Sequence, residues 1–89
     1  MKRKEPSHLI VGIHVTNRVR YAGVVQKVLT DYGAHIQTRL GLHDVEGRHS
    51  SPGGLILLEM VGDEKPCAAI LSRLNAIRGV DAQHMVFAH

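Results

Sequence analysis

HLIVGIHVT, residues 8–16, is the segment from which the fold of this chain can be worked out. Most of its residues are β-branched or apolar, and polar residues do not alternate regularly with them. This composition is typical of a central strand that is covered on most of both faces. We therefore predict that residues 8–16 form the first strand and that neighbouring elements cover it.

An amphipathic helix is predicted next, from Val19 to Tyr32, with Asn17 as its N-cap and Gly33 after its end. Its apolar positions recur at helical spacing and are Ala22, Val25, Val28, Leu29 and Tyr32. Residues 34–43 (AHIQTRLGLH) then alternate like a half-exposed strand. The alternation places on one side Ile36, Thr38, Leu40 and Leu42, and on the other side His35, Gln37, Arg39, Gly41 and His43.

The second half of the chain contains a further strand, helix and strand. Residues 44–53 (DVEGRHSSPG) are rich in turn formers and predict a hairpin loop, and the apolar run 54–61 (GLILLEMV) predicts the third strand. Asp63 can cap a second helix that tolerates Pro66 in its first turn. The buried stripe of this helix is predicted to be Cys67, Ile70, Leu71, Leu74 and Ile77. Residues 80–87 (VDAQHMVF) predict the last strand.

The order βαββαβ predicts a ferredoxin-like α+β sandwich over residues 8–89, preceded by a basic arm at residues 1–7. Right-handed crossovers place both helices on one face of a four-stranded antiparallel sheet, so the other face is uncovered. The helix-facing residues of the first and third strands are predicted to be Leu9, Val11, Ile13, Ile56, Leu58 and Met60. The uncovered residues are predicted to be Ile10, Gly12, His14, Leu55, Leu57, Glu59 and Val61.

An apolar sheet face in water predicts a second copy of the chain that covers it. We expect a homodimer or homotetramer whose interface contains Ile10, His14, His35, Leu55 and Leu57. The sequence does not decide which face of the sheet each residue of the last strand occupies, because the polar His84 falls in step with the apolar Val80, Ala82 and Val86.

Composition limits the classes of function. The chain has 89 residues, 44% of them hydrophobic, with no Trp and a net charge of +3. It has no apolar run long enough to cross a bilayer, and its single cysteine, Cys67, cannot form an internal disulfide, so we predict a cytoplasmic protein. The small net charge and the lack of aromatic residues on the middle strands argue against a nucleic acid as a direct binding partner.

No motif for catalysis is present, since the sequence lacks Gly-x-Ser-x-Gly, a P-loop and His-Glu-x-x-His. Cys67 lies on the apolar stripe of the second helix, where burial would make its thiol inert. An exposed thiol near that helix N-terminus would instead have a lowered pKa and react rapidly. We expect no enzymatic activity, and no cofactor can be named.

Two segments resemble ACT-like regulatory domains: LILLEMVGD at residues 55–63 and RGV at residues 78–80. Together with the element order and the length, they resemble the iron-only hydrogenase system regulators and the C-terminal domain of the nickel-responsive repressor, over about residues 8–87. The resemblance implies an oligomeric regulator, linked to transcription or metabolism, that binds a small effector or a metal and reports the binding to a partner or to DNA.

The resemblance to the nickel-responsive repressor also bears on metal binding. The nickel ligands of that family are a His-x-His pair, a Cys and a His from a partner subunit. They would fall here on Gly41 and His43, near Gly54 or Leu55, and near residues 29–31. Only His43 matches, and one imidazole does not make a nickel site of that type.

A different metal site could form on the predicted hairpin. His43, Asp44, Glu46 and His49 lie close together in sequence, and a symmetric dimer would double the ligands that each copy offers. Seven histidines in the chain favour this reading, whereas the alternative is a solvated polar loop. The second functional hypothesis is therefore a nickel or zinc sensor or carrier, with His43, Asp44 and His49 as ligands.

The turn between the first strand and the first helix is the other candidate site. Asn17, Arg18, Arg20 and Tyr21 lie at a helix N-terminus, where backbone N–H groups and guanidinium groups can bind a carboxylate or phosphate. Effectors of ACT domains commonly bind near this turn beside a glycine, but here the glycine nearest in sequence, Gly23, lies inside the helix. The alternative is an exposed, charged first turn. The leading hypothesis is a regulatory module that senses a small ligand through homo-oligomerisation.

Overall fold

The computed structural model describes residues 8–43, 54–61 and 64–87 and has the predicted order of elements. Its elements are β1 (His8–Val15), α1 (Arg18–Asp31), a 3-10 turn (Gly33–His35), β2 (Ile36–His43), β3 (Gly54–Met60), α2 (Glu64–Asn75) and β4 (Val80–Phe87). The predicted hairpin loop and the predicted cap Asp63 lie outside the described residues.

The four strands form one antiparallel sheet in the order β2-β3-β1-β4. β1 pairs with β3 on one side and with β4 on the other, as its apolar composition predicts for a central strand. The ferredoxin-like α+β fold is therefore confirmed.

The core lies between the helices and one face of the sheet. Leu9, Val11 and Ile13 of β1 are almost fully buried, as are Leu58 and Met60 of β3. The helices contribute to the core through the buried residues Val25, Val28, Leu29, Cys67, Ile70 and Leu74. The predicted helix-facing residues of β1 and β3 are confirmed, although Ile56 is only partly buried. On α1, Tyr21 packs against the core, whereas the predicted Ala22 is exposed.

The predicted alternation in β2 is wrong at one point, because Ile36 lies on the opposite face of the sheet from Thr38 and Leu40. A β-bulge between Ile36 and Thr38 shifts the register, so Ile36 packs against the core whereas Leu40 lies opposite Leu57 on the uncovered face. Arg39 lies on the helix side, where its Nη2 donates to Gln26 Oε1 at 2.8 Å. Strict alternation could not reveal a bulge, because an extra residue exchanges the two faces.

His35 also differs from the prediction, since it lies in the 3-10 turn before β2 and not in the strand. Its backbone N–H donates to Tyr32 O at 2.9 Å, and its carbonyl accepts from Val61 N at 2.8 Å. Gly33 therefore does not end the helix in a left-handed conformation; its φ is not positive, and the chain continues helically through this turn.

The register of β4 settles which side each of its residues occupies. Val80 and Ala82 are buried on the helix side, and His84 is on the same side opposite Val11. His84 is nevertheless exposed, because it lies toward the end of an edge strand. Met85 and Phe87 lie on the uncovered face, where they are 56% and 52% exposed.

The two helices are joined at the surface by an ion pair between Asp31 of α1 and Arg73 of α2, with Oδ2 and Nη1 2.9 Å apart. The hydrogen bond from Arg73 lowers the pKa of Asp31 below its usual value. The pair therefore stabilises the fold at neutral pH, and this small contribution is lost as the pH falls through the lowered pKa.

Asn75, the last residue of α2, protects the free edge of β4. Its Nδ2 donates to Ala82 O at 3.0 Å, and its Oδ1 accepts from Ala82 N at 2.8 Å. The side-chain amide thus satisfies both backbone groups of Ala82, as a further strand would, and fixes the end of α2 to the sheet.

Asn75→Ala is expected to lower the free energy of unfolding by about 1–3 kcal/mol, because two partly buried backbone groups lose their partners. Urea titration followed by circular dichroism measures the change. Gln26→Ala removes an exposed amide of α1 and serves as the control, with an expected change within about 0.5 kcal/mol. Equal effects of the two substitutions would contradict the role given to Asn75.

Candidate functional site

The turn between β1 and α1 has the predicted cap. Asn17 Oδ1 accepts a hydrogen bond from Arg20 N at 3.1 Å, and Asn17 has an extended backbone, as N-cap residues do. Of the other predicted ligand residues, Arg20 is exposed and Tyr21 is partly buried. The side chain of Arg18 lies outside the described part of the chain.

The fold brings a glycine to this turn that sequence spacing did not indicate. Thr16 N donates to Gly79 O at 2.8 Å, which links the β1–α1 turn to the turn before β4. The Tyr21 ring packs directly on Gly79, where a Cβ atom would lie 2.6 Å from Tyr21 Cε2. Gly79 also has φ +87°, a conformation that strongly favours glycine. In the sequence, the role of Gly79 was indicated only by its position between a predicted helix and a predicted strand.

The charge at this turn suits an anion. Arg20 and Arg78 are exposed, and no carboxylate in the described part of the chain forms an ion pair with either of them. The Arg20 guanidinium carbon lies 5.5 Å from the centre of the Tyr21 ring, which orients the side chain by a cation–π contact. An exposed helix N-terminus with positioned guanidinium groups can bind a carboxylate or phosphate.

The uncovered side of the sheet, here called the open face, is the second feature of interest. Its residues, assigned from the registers, are His8, Ile10, Gly12, His14, Thr38, Leu40, Leu55, Leu57, Glu59, Asp81, Gln83, Met85 and Phe87. Six of these residues are apolar and form what we call the apolar strip: Ile10, Leu40, Leu55, Leu57, Met85 and Phe87. The predicted placement of Ile10, His14, Leu55 and Leu57 on the uncovered side agrees with these registers.

Exposure of the apolar strip is substantial. Leu40, Met85 and Phe87 are each more than half exposed, at 52%, 56% and 52%, and Leu55 is 37% exposed. Burying one such side chain is worth about 1.5–3 kcal/mol. A continuous strip of this kind marks an interaction surface more often than a surface in contact with water alone.

Polar residues flank the apolar strip. Thr38 Oγ1 donates to Glu59 Oε1 at 2.9 Å, and Gln83 Nε2 donates to Asp81 Oδ2 at 3.2 Å. His14 lies opposite Asp81 in the register of β1 and β4. His14 is also two residues before Thr16, so the open face and the Arg20 turn meet at one end of β1.

The predicted metal ligands fall largely outside the described residues. His43 ends β2, but its side chain is not described, and neither are Asp44, Glu46 and His49. Among the residues that are described, no group of three or more His, Cys, Asp or Glu side chains could hold a metal ion. The hairpin metal site therefore stays a prediction.

Cys67 lies in the core, 2% exposed, as its place on the helix stripe predicts. Burial raises the pKa of its thiol, and the nearby Glu64 carboxylate raises it further. A buried thiol with a raised pKa is mostly protonated at neutral pH and reacts slowly. The structure thus favours an inert core residue over a nucleophile.

The helices of the described segments are too short or too polar to cross a membrane.

No family model and no curated protein matches the sequence. Among solved structures, the uncharacterized protein TM1266 from Thermotoga maritima matches with a TM-score of 0.79 and 23% identity, over 92% of this chain and 98% of that chain. This match spans nearly the whole of both proteins, and at this identity it shows a common fold.

Two further structures have the same fold at lower identity. A dimeric ferredoxin-like protein from an uncultured marine organism has a TM-score of 0.52 and 10% identity, and the match covers 96% of each chain. CPII, a nitrogen regulatory PII-like protein from Thiomonas intermedia K12 bound to ADP, AMP and bicarbonate, has a TM-score of 0.52 and 10% identity, over 98% of this chain and 94% of that chain. Enzymes also occur among the matches, so the fold alone does not decide the function. The comparisons establish a ferredoxin-like fold.

Gly79→Ala is expected to lower the free energy of unfolding by about 2 kcal/mol or more, because alanine resists a positive φ and its Cβ would overlap the Tyr21 ring. Gly33→Ala is the matched control, since nothing lies within 4 Å of a Cβ there. The control is expected to be neutral or stabilising by up to about 1 kcal/mol. Thermal or urea unfolding compares the two, and similar values would contradict the packing of Tyr21 on Gly79.

Cys67 is expected to react with iodoacetamide much more slowly in the native protein than in 6 M guanidinium chloride, where the free thiol is accessible. Mass spectrometry of timed samples measures the modified fraction. Native alkylation as fast as that of the denatured chain would contradict burial of the thiol and would favour the alternative of an exposed, reactive thiol near the helix N-terminus.

Proposed function

We propose that this protein is an ACT-like regulatory module that senses a small anionic ligand and acts through homo-oligomerisation. The observation that carries the proposal is the apolar strip, which the chain's own helices leave uncovered. A second copy is the simplest cover for such a face, because oligomers of identical chains are the commonest assemblies. The resemblance of residues 55–63 and 78–80 to ACT-like domains supports the same class of function.

The proposed ligand site is the turn formed by Asn17, Arg20, Tyr21, Arg78 and Gly79. Its two arginines, Arg20 and Arg78, are exposed and available to a carboxylate or phosphate. Gly79 supplies the glycine that the ACT-like pattern leads one to expect beside the effector, although it comes from the other half of the chain. The PII-like structure with bound ADP and AMP supports nucleotides as probes of this site.

The position of the site supplies a mechanism. The turn follows Val15, the last residue of β1, and so lies next to His14 at the border of the open face. A ligand bound there would lie at the seam between two copies and would bind the assembled and separated forms with different affinity. Such a difference shifts the equilibrium between the two forms, and this is how a small ligand can regulate an assembly.

We also propose that this regulatory module does not catalyse a reaction. Cys67, the one thiol, lies in the core with a raised pKa, and none of the sequence motifs for hydrolysis or phosphoryl transfer is present. The exposed groups at the Arg20 turn are suited to binding an anion, and arginine does not act as a nucleophile.

Thermal melting with added ligands tests the proposal. We expect amino acids, ADP or AMP at about 100 times the dissociation constant to stabilise the protein by about 2.7 kcal/mol, a rise of several degrees in Tm. Arg20→Ala should abolish the shift, whereas the control Arg39→Ala, on β2, should retain it.

A shift with nickel or zinc and a stoichiometric metal content, with no shift from anions, would contradict the proposal. That result would favour the metal-sensor alternative, and variants at His43, Asp44 and His49 would then locate the site.

A further inference from the structure

We infer that the second half of β4 is a strand-pairing edge, to which a second copy of the chain adds its own β4 in antiparallel orientation. In this pair, Met85 lies opposite Met85 of the other copy. The inference goes beyond the proposed function, because it concerns the edge of the sheet and not its open face.

The outer edge of β4 presents the backbone groups of alternate residues. Ala82 N and Ala82 O bond to the Asn75 side chain at 2.8 and 3.0 Å, so they point away from β1. The register between β1 and β4 is unbroken, so the N–H and C=O groups of His84 and Val86 point the same way. Among the described residues, none forms a hydrogen bond with these outward groups of His84 and Val86.

Other stretches of the sheet edge have features that oppose pairing with a further strand. The outer strand β2 has a bulge between Ile36 and Thr38, followed by the charged Arg39. The first half of β4 is occupied by the Asn75 amide. Bulges, charged side chains and covering groups are the usual protection of an edge strand.

Residues 84–87 lack this protection. The stretch has no proline, no Lys, Arg, Asp or Glu, and no irregularity in its pairing with β1. Met85, Val86 and Phe87 are 56%, 41% and 52% exposed, so apolar side chains flank the edge on both faces of the sheet. An edge with free backbone groups and apolar flanks is a template for another strand.

Helix α2 leaves room for the added strand. On the helix side of β4, Val80 and Ala82 are buried, whereas His84 and Val86 are exposed. The cover that α2 gives to β4 therefore ends near Ala82, and a strand can approach the edge beside His84 and Val86.

The position of Asn75 selects one register for a symmetric pair. With Met85 at the centre, His84 lies opposite Val86 of the other copy, and all the outward groups of both residues are bonded. With His84 at the centre, Val86 would lie opposite Ala82, whose groups Asn75 already holds. With Val86 at the centre, the groups of His84 would find no partner within β4.

The segment is complementary to itself in this register, which favours a second copy as the added strand. Met85 meets Met85 and Gln83 lies across from Phe87, so no like charges are opposed. The two-fold axis is perpendicular to the sheet, so the open faces of both copies lie on the same side. The apolar strip of one copy then continues through Met85 and Phe87 into the strip of the other.

Disulfide formation tests the register. Met85→Cys is oxidised with glutathione disulfide and analysed on a non-reducing gel, and the buried Cys67 does not compete. Directly opposite residues in such a pair have Cα atoms about 4.5 Å apart, which suits a disulfide. We expect the covalent dimer to form about tenfold faster or more than with Lys27→Cys, because the paired thiols are held together. Lys27 is exposed on α1, away from β4, and measures random collisions.

Proline tests the role of the backbone. Val86→Pro, made in the Met85→Cys chain, removes an N–H that takes no part in the bonds to β1. We expect native circular dichroism and a disulfide that forms only at the collision rate. The control Val86→Ala shortens the same side chain but keeps the N–H, so it should retain the fast disulfide.

A Met85→Cys disulfide no faster than that of Lys27→Cys would overturn the inference, as would a fast disulfide in the Val86→Pro chain. Leu40→Glu, also made in the Met85→Cys chain, keeps this result separate from the proposed function, because Leu40 lies on the open face at the other edge strand. A fast disulfide that persists in Leu40→Glu supports edge pairing. A disulfide slowed by Leu40→Glu but not by Val86→Pro would overturn edge pairing and leave the proposed assembly at the open face in place.

Discussion

Two helices can cover only one face of a four-stranded sheet, and this constraint governs the rest of the molecule. The core-facing residues of β1 and β3, apart from the partly buried Ile56, are almost fully buried beneath α1 and α2. The opposite face has aliphatic side chains and one aromatic ring, with Leu40, Met85 and Phe87 more than half exposed. The favourable free energy available from covering that face is the driving force that the proposed assembly uses.

The same topology connects assembly with ligand sensing. Hydrogen bonding from Thr16 to Gly79 O joins the turns that begin α1 and β4, and Tyr21 packs across the junction. The exposed arginines Arg20 and Arg78 lie at this junction, and His14 of the open face lies beside it. In the proposed assembly, a ligand at the turn would contact elements whose other surfaces would face the partner copy, so binding and assembly would be coupled over a short distance.

Periodicity in the sequence was sufficient for the element order, for most of the core of β1 and β3, and for the buried residues Cys67, Ile70 and Leu74 of α2. The predicted Leu71 and Ile77 are only partly buried, and Ile77 follows the end of the helix. Periodicity failed at β2, where the bulge after Ile36 moved Leu40 to the open face. It also did not indicate the contact between Tyr21 and Gly79, because residues distant in sequence meet only through the crossover that returns β4 beside β1. The roles of the open face and of the Arg20 turn depend on other molecules, which one chain's pattern of residues cannot specify.

Sedimentation equilibrium of the purified protein at micromolar concentration tests the central claim most directly. We expect a mass of at least twice the 9.8 kDa of one chain, with the apolar strip covered in the assembly. A folded particle with the mass of a single chain, with no change on dilution or concentration, would contradict it.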